Sequence, residues 1–307
     1  MNEYVIQTEE LTKEYNGRVV VDRLSLHVPR GKIYAFLGKN GAGKTTTMKM
    51  LLNLIRPTSG SFCLFGEKHT DFTKKNYYRI GSIIEAPAFY ENLTAKENLE
   101  LLARLRGRHR KDSVEHALSV VRLDKENKKL FRDYSLGMKQ RLGLAAAIMH
   151  EPELLILDEP MNGLDPVGIQ ETREYLLRLC KERGTTIFIS SHVLNEIEQI
   201  VDVVGILDKG KLLEETAMQE LSRRSRRYAE FEVSDVEKAV LVLERKFHIS
   251  DYAVMGNGIL RLYDRLDERA DINGSFVKEG IAVRKVNLSV GKLEDYFTEL
   301  IGGDGIG

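Results

Sequence analysis

A glycine-rich loop in the first part of this chain has the residue types needed to hold phosphate groups. The loop fits the pattern G-x-x-x-x-G-K-[ST] between a predicted strand, Ile33 to Leu37, and a predicted helix from Lys44 to about Ile55. Glycines let backbone N–H groups turn inward around phosphate oxygens, and a helix N-terminus adds a positive dipole end. The pattern predicts an ATP-phosphate site formed by Gly38, Lys39, Asn40, Gly41, Ala42, Gly43, Lys44, Thr45 and Thr46.

Two side chains of this loop have specific predicted roles. Lys44 is expected to contact the β- and γ-phosphates, and the Thr45 hydroxyl is expected to bind Mg²⁺. The alternative interpretation of the loop is a chance glycine-rich turn, which the strand before it and the helix after it argue against.

Two acidic residues supply the second half of the predicted site. The aliphatic residues Leu154 to Leu157 predict a buried parallel strand, and Asp158 and Glu159 follow it directly. Open α/β sheets bind ligands at the carboxyl ends of their strands. Asp158 is therefore expected to hold Mg²⁺, directly or through water, and Glu159 is expected to be the general base for an attacking water. The competing interpretation is a helix N-cap or a solvated turn.

The elements that must position these residues follow an α/β pattern to about residue 208. Strand-like and helix-like segments alternate, except that about 88–150 is helical and includes a capping-box pattern at Thr94 and Glu97. The alternation then predicts a helix from about Gly168 to Arg183, a strand from Thr186 to Ser190, a helix from Val193 and a strand from Val203 to Leu207.

A smaller unit follows, in the order βαββαβ with an extra helix, which predicts a ferredoxin-like α+β domain. Its predicted elements are a strand (Tyr228 to Val233), a helix (Val236 to Phe247), a hairpin around Gly256-Asn257-Gly258, a short helix, a strand (Ile281 to Val286) and a final helix (Leu293 to Ile301). The predicted organisation is an α/β domain over 1–215, a linker over 216–227, the α+β domain over 228–302 and a flexible tail over 303–307.

Composition narrows the class of protein. Lys and Arg number 46, as do Asp and Glu, which argues against a nucleic-acid-binding protein. The longest apolar run, Gly143 to Met149, is about seven residues long, whereas a bilayer needs roughly twenty. No signal peptide is recognised after Met1. Cys63 and Cys180 are expected to be core residues of a cytoplasmic protein.

Further motifs, in order, resemble the ATP-binding subunit of ABC transporters. The segment Tyr134 to Arg141 is similar to the family signature, with Leu136 and Met138 at two positions where the family has other residues. The resemblance implies that Ser135, Gly137 and Gln140 complete the ATP site of a partner subunit. A Ser hydroxyl and bare N–H groups at a helix start are anion donors; a neutral helix cap is the alternative.

Three other residues take roles from the same resemblance, which covers about residues 1–215. Asp165, in Gly163-Leu164-Asp165-Pro166, resembles the loop through which the two subunits communicate. His192, after Ser190-Ser191, resembles the switch histidine that contacts the γ-phosphate. Tyr15 resembles the aromatic residue that stacks on adenine, although a surface tyrosine at a turn remains the alternative.

One departure from the family pattern concerns Glu85. The family usually has a glutamine there, before the helical subdomain. With a glutamate at this position, the chain resembles the branch that exports lantibiotics, bacitracin and related peptide antibiotics. The resemblance also implies that Glu85 contacts Mg²⁺ and senses a permease. The groove in which the permease docks is expected near Glu85 to Tyr90. The alternative is that Glu85 caps the helical subdomain.

The resemblance implies a P-loop α/β fold with an antiparallel β portion and an α-helical subdomain. It implies an ATPase that forms a head-to-tail dimer, with a second copy or a paralogue, beneath a separate membrane permease on the inner face of the cell membrane. The basic stretches Arg104 to Lys111 and Arg223 to Arg227 are expected to be solvated, without nucleic acid. A soluble ABC ATPase acting on DNA or ribosomes and an ATP-binding sensor are the competing classes.

Overall fold

The computed structural model describes residues 3–85, 88–107, 112–126, 128–224, 227–290 and 293–301. The chain divides into two compact units, Met1–Met218 and Gln219–Gly307. Several sequence predictions fall partly or wholly outside the described ranges. They concern residues 86–87 of the docking loop, 108–111 of the first basic stretch, 225–226 of the second and the tail after 301.

An antiparallel sheet forms around the long first strand of the chain. Strand β1 pairs antiparallel with β2, β3 and β5, and β5 pairs with β6. The strands are β1 (Tyr4–Tyr15), β2 (Arg18–Leu24), β3 (His27–Pro29), β5 (Ser59–Leu64) and β6 (Glu67–Lys68). The hydrophobic core combines residues of this sheet, such as Leu11 and Phe62, with Phe36 and Phe188 of the second sheet described next.

A six-stranded sheet carries the predicted site at one edge. Its strands are β4 (Ile33–Leu37), β7 (Ile80–Ile83), β8 (Leu154–Leu157), β9 (Thr186–Ser191), β10 (Val203–Asp208) and β11 (Lys211–Ala217), in the order β11-β10-β4-β9-β8-β7. All neighbours are parallel except β10 and β11. Strands β4, β8 and β9 are buried throughout. The carboxyl ends of β4, β7, β8 and β9 therefore lie along one edge of the sheet.

The helices of the first unit are α1 (Lys44–Leu51), α2 (Lys74–Tyr77), α3 (Ala95–Arg106), α4 (Ser113–Val120), α5 (Leu136–Ile148) and α6 (Pro166–Arg183). A further helix, α7 (Met218–Arg224), begins at Met218, the last residue of the first unit. Helices α3, α4 and α5 pack on one another as the predicted helical subdomain. The capping box of α3 is confirmed, because Thr94 Oγ1 accepts from Glu97 N and Glu97 Oε2 accepts from Thr94 N. Within the described ranges, every helix is too short or too polar to cross a membrane.

The helical subdomain is joined closely to β7. A Cβ at Gly81 would lie 2.0 Å from the carbonyl oxygen of Ala147, so only glycine allows α5 to approach β7 this closely. Just beyond α5, His150 Nε2 donates to the carbonyl oxygen of Ile80 at 3.0 Å, and Arg106 Nη1 lies 2.6 Å from His150 Nδ1. Burial, and then the charge of Arg106, lower the pKa of His150 to about 4, so the imidazole is neutral.

Two predicted helices are wrong in extent or type. The helix expected to reach Ile55 ends at Leu51. The helix expected from Val193 is a single 3₁₀ turn over Leu194–Glu196. The Ser191 hydroxyl bonds the backbone of Val193, and Arg173 bonds the carbonyl oxygens of Asn195 and Glu196, so these groups do not enter a helical ladder.

The predicted linker over 216–227 contains regular secondary structure. It contains the last residues of β11, all of α7 and the first residue of the next strand. Strand β11 forms because it pairs antiparallel with β10 and because its charged residue Glu215 accepts from the Tyr34 hydroxyl at 2.7 Å. The division between the two compact units falls after Met218, inside the expected linker.

The second unit has the βαββαβ order expected from the sequence, followed by one more helix. Its elements are β12 (Arg227–Val233), α8 (Val236–Val242), β13 (Tyr252–Gly256), β14 (Ile259–Leu262), α9 (Arg269–Lys278), β15 (Val283–Val290) and α10 (Leu293–Leu300). The sheet has the order β13-β14-β12-β15. Its core includes Phe231 of β12 and Phe276 of α9, whose rings meet edge to face with centroids 5.4 Å apart.

Candidate nucleotide site

The glycine-rich loop leaves β4 and enters α1, as the sequence predicts. Gly43 has a φ of 109°, and a Cβ there would lie 2.7 Å from the carbonyl oxygen of Val20, so the position requires glycine. The buried Lys44 ammonium donates to the carbonyl oxygens of Gly38 at 2.6 Å and Lys39 at 3.3 Å. The loop backbone therefore holds Lys44 over its own concave face.

The remaining residues of the loop differ in how far they are exposed to solvent. Lys39, Asn40 and Gly41 form its exposed tip, Ala42 is buried, and Thr45 and Thr46 are partly exposed at the start of α1. Gly41 has a φ of 80° and open space around its Cα, so its backbone is free to face a ligand.

Asp158 follows β8 directly and is buried, with a hydrogen bond to each carboxylate oxygen. The Thr45 hydroxyl donates to Oδ2 at 2.7 Å, and the Ser190 hydroxyl donates to Oδ1 at 2.6 Å. The structure thus brings together Thr45 and Asp158, two of the three residues that the sequence predicts as metal ligands, the third being Glu85.

The carboxylate of Glu159 lies between a cation and an imidazole. Its Oε2 atom lies 2.9 Å from His192 Nδ1, and its Oε1 atom lies 3.3 Å from Lys44 Nζ. Oε1 is buried and accepts no hydrogen bond from the residues described, so its contact with Lys44 is an ion pair without hydrogen-bond geometry. Because a carboxylate only accepts, Nδ1 of His192 carries the proton between them. The three predicted catalytic residues therefore form one cluster.

A second carboxyl group, that of Glu196, belongs to the surroundings of this cluster. Burial raises the pKa of Glu196, the attraction of His192 lowers it in part, and repulsion from Glu159 raises it again. The pKa of Glu196 therefore lies above that of a free glutamate.

The signature residues occupy the start of α5. Ser135 is the N-cap of this helix, and its Oγ accepts from Met138 N at 3.3 Å. Gly137 lies near Leu164, since a Cβ there would be 3.5 Å from Leu164 Cδ2. Gln140 is buried, and its Nε2 lies 3.5 Å from the carbonyl oxygen of Glu159, a long contact.

Asp165 is the N-cap of α6, where its Oδ1 accepts from Gly168 N at 2.9 Å. Within one chain, Asp165 and Ser135 therefore have local roles as helix caps. Their predicted roles toward a partner subunit stay predictions.

Tyr15 ends β1 with 44% of its surface exposed. The Lys13 ammonium lies 4.8 Å from the centroid of its ring. The exposure of Tyr15 is compatible with both of its interpretations, a surface tyrosine and an adenine-stacking ring.

Glu85 follows β7 in a left-handed conformation, with a φ of 60°. Its exposed carboxylate accepts from Lys49 Nζ at 2.6 Å. In this geometry the charge of Glu85 is engaged with Lys49 of α1, and its role as a ligand of Mg²⁺ stays a prediction.

Known proteins share both the sequence and this fold. Residues 21–162 match the ABC transporter family. The bacitracin transport ATP-binding protein BcrA of Enterococcus faecalis is 56% identical over 304 residues, which covers 99% of this chain and 98% of that protein. The lantibiotic transport ATP-binding protein SrtF of Streptococcus pyogenes is 41% identical over 209 residues, covering 68% of this chain and 89% of that protein.

A solved structure of an ATP-binding subunit of an ABC transporter superposes with a TM-score of 0.65 at 30% identity, covering 72% of this chain and 92% of that one. The chain belongs to the ABC transporter ATP-binding proteins. The predicted family, the ABC ATPase fold and the activity, ATP hydrolysis in a transporter subunit, are thereby confirmed.

Two residues of this ABC transporter subunit were not recognised from the sequence as parts of the site. Ser190 bonds both Asp158 and the backbone of Glu159, whose N–H donates to Ser190 Oγ at 2.9 Å. Lys49 pairs with Glu85. The sequence does carry a signal for Ser190, because this polar residue directly follows the apolar run Ile187-Phe188-Ile189 at the end of a predicted strand. Lys49 had no such signal, since a lysine on a helix is ordinary.

Proposed function

We propose that this ABC transporter subunit powers the export of a peptide antibiotic and so protects or immunises the cell that makes it. The supporting observation is the 56% identity to a bacitracin transport ATP-binding protein across 99% of this chain. That similarity includes the second unit as well as the ATPase unit, and the relative SrtF acts in lantibiotic transport. Glu85, in place of the usual glutamine, fits the same branch.

The proposed partner is a separate membrane permease, which would hold the subunit at the inner face of the cell membrane. The described part of the predicted docking loop includes Tyr90, with 61% of its surface exposed. Its backbone is fixed by the buried Asn98 of α3, whose Oδ1 accepts from Tyr90 N at 2.9 Å and whose Nδ2 donates to Tyr90 O at 3.1 Å. A force applied at Tyr90 would therefore reach the helical subdomain directly.

A second ATPase subunit, either another copy or a paralogue, is the other proposed partner. In the head-to-tail arrangement, Ser135 and Gly137 of one subunit would complete the ATP site of the other, and Asp165 would lie at the contact between them. Leu136, beside them, has 63% of its surface exposed. An exposed apolar residue beside a helix start that offers free N–H groups fits a surface that a partner covers.

The residues present fit Mg²⁺ as the metal of the site. Thr45 and Asp158 offer hard oxygen atoms 2.7 Å apart. The described residues hold no group of three His, Cys, Asp or Glu side chains that could bind a metal without other ligands. This suits Mg²⁺, which usually takes one or two protein ligands and completes its shell with water and substrate phosphate oxygens. Bound there, Mg²⁺ would neutralise part of the charge on the phosphates.

The chain's own residues then have defined tasks in ATP hydrolysis. Lys44 would stabilise the charge on the transferring phosphoryl group. Glu159 would orient the attacking water and accept its proton. His192 would hold the Glu159 carboxylate through Nδ1–H, leaving Nε2 available on the side of the γ-phosphate. Tyr15 would stack on the adenine.

The proposal is tested by producing this chain together with a candidate multi-span permease in a sensitive host. We expect resistance to bacitracin or a lantibiotic to rise, and to require both proteins and an intact Glu159. Unchanged sensitivity in cells that contain both proteins would contradict the peptide-antibiotic proposal. ATPase activity without any permease that copurifies would favour the soluble ATPase class instead.

A further inference from the structure

Ser190 makes two hydrogen bonds that join the proposed metal ligand to the proposed general base. Its hydroxyl donates to Asp158 Oδ1 at 2.6 Å and accepts from Glu159 N at 2.9 Å. Ser190 is completely buried at the carboxyl end of β9, beside β8. A buried hydroxyl that donates to a carboxylate is polarised and becomes a better acceptor, so the two bonds strengthen each other.

The backbone of Glu159 needs such support. Its φ of 47° lies in the left-handed region, which is unfavourable for a residue with a Cβ and persists where the surroundings hold it. The bond from Glu159 N to Ser190 fixes the peptide group between Asp158 and Glu159. Two residues further along the chain, His192 holds the Glu159 carboxylate. The end of β9 therefore fixes Glu159 at both its backbone and its side chain.

We infer that Ser190 is a positioning residue for ATP hydrolysis, which sets the Asp158 carboxylate and the Glu159 base relative to each other. The inference rests on the roles proposed above for Asp158 and Glu159. The two hydrogen bonds of the Ser190 hydroxyl go to Asp158 and Glu159, and neither goes to the glycine-rich loop or to Lys44. Ser190 therefore acts through these two acids. Its removal should therefore affect turnover and the response to Mg²⁺ more than the binding of nucleotide alone.

The alternative is that Ser190 only satisfies buried polar groups, and Thr186 provides a matched control for it. Thr186 lies at the other end of the same strand, is equally buried, and its Oγ1 accepts from Gly31 N at 2.9 Å. Thr186→Val removes a buried hydroxyl and leaves an N–H without its partner, as Ser190→Ala does, but at the edge of the sheet away from Asp158.

The test measures ATP turnover, the Mg²⁺ concentration for half-maximal rate, and binding of a fluorescent ATP analogue with EDTA or with Mg²⁺. For Ser190→Ala we expect a fall in kcat of about 10–100-fold and a weaker gain of nucleotide affinity on adding Mg²⁺. Affinity in EDTA should stay within about twofold of wild type, and this also shows that the site is folded. Ser190→Thr, which keeps the hydroxyl, should recover most of the activity.

Thr186→Val should lower the melting temperature while leaving kcat and the Mg²⁺ response unchanged. The inference is overturned if Ser190→Ala turns over ATP like wild type, or if its losses equal those of Thr186→Val in every measurement. Glu159→Gln in the same assays distinguishes a failure of the Ser190 role from a failure of the proposed site. An inactive Glu159→Gln with a normal Ser190→Ala refutes only the role of Ser190, whereas a fully active Glu159→Gln refutes the proposed site itself.

Discussion

The ammonium of Lys49 lies 2.6 Å from Oε1 of Glu85. This contact links the loop after β7 to α1, the helix whose first residues are Lys44 and Thr45. A permease that moves this loop would therefore act on the helix whose first residues belong to the proposed phosphate site. A glutamine at position 85 would keep an oxygen acceptor for Lys49 but lose the charge.

Glu85→Gln is expected to separate ATP hydrolysis from transport. Because Glu85 is exposed and pairs with Lys49 rather than with Lys44 or Asp158, the basal ATPase rate should stay within about tenfold of wild type, or roughly 1.4 kcal/mol of barrier. Resistance in cells that contain the permease should fall. Both quantities are measured on the same variant, with assembly on the permease checked.

Lys49→Gln provides the matched partner variant, since it breaks the same ion pair from the other side. Like Glu85→Gln, it should lower resistance in cells while keeping most of the basal ATPase rate. Unchanged resistance in both variants would rule out a coupling role for the pair. An ATPase loss as large as that of Glu159→Gln would place Glu85 among the catalytic groups.

A chain that ends at Met218 is expected to keep ATP binding. All residues of the proposed nucleotide site precede this point, and the division between the two compact units falls here. The affinity for ATP is measured by titration with a fluorescent analogue, after circular dichroism has shown that the shortened chain is folded. A folded chain that no longer binds ATP would show that the second unit contributes to the site.

The free energy of unfolding should fall between pH 7 and pH 5 in part because of His150. The pKa of His150 is about 4 in the folded chain and ordinarily 6.5, so the unfolded state binds the proton first as the pH falls. The contribution of His150 to the free energy of unfolding is fully present above pH 6.5 and declines toward pH 4. Between pH 7 and pH 5 it falls by about 1–2 kcal/mol.

Melting temperatures at the two pH values check this expectation. His150→Gln keeps a side-chain N–H that can bond the carbonyl oxygen of Ile80 but does not titrate. Its melting temperature should drop less between pH 7 and pH 5 than that of wild type. Equal drops in the two proteins would show that His150 does not contribute to the pH dependence.

Much of the fold could be predicted because local signals and tertiary structure agree. The bounds of β8, Leu154–Leu157, were predicted correctly because four consecutive aliphatic residues ended by acids are typical of a buried parallel strand. The glycine-rich loop carries its own backbone requirements, and the capping box of α3 is complete within four residues. These elements depend little on distant contacts.

The elements that could not be predicted depend on distant partners. Strand β11 has a charged, linker-like sequence. It forms because Glu215 accepts hydrogen bonds from Tyr34 of β4, in the same sheet, and from the backbone of His27 of β3, in the antiparallel sheet. The turn after His192 is shaped by Arg173 of α6. The role of Ser190 requires knowing that β9 lies beside β8 in the register that brings Ser190 to Asp158. Sequence patterns alone carry none of these distances.

ATP turnover by purified Glu159→Gln protein tests the assignment of the site most directly. The carboxamide cannot accept the proton of the attacking water, while Lys44, Thr45 and Asp158 remain in place. We expect ATP binding near the wild-type affinity, a fall in kcat of about 10²–10⁴-fold, and a dimer that ATP traps and size-exclusion chromatography detects. Hydrolysis at the wild-type rate would contradict the assignment of Glu159 as the base and with it the proposed mechanism.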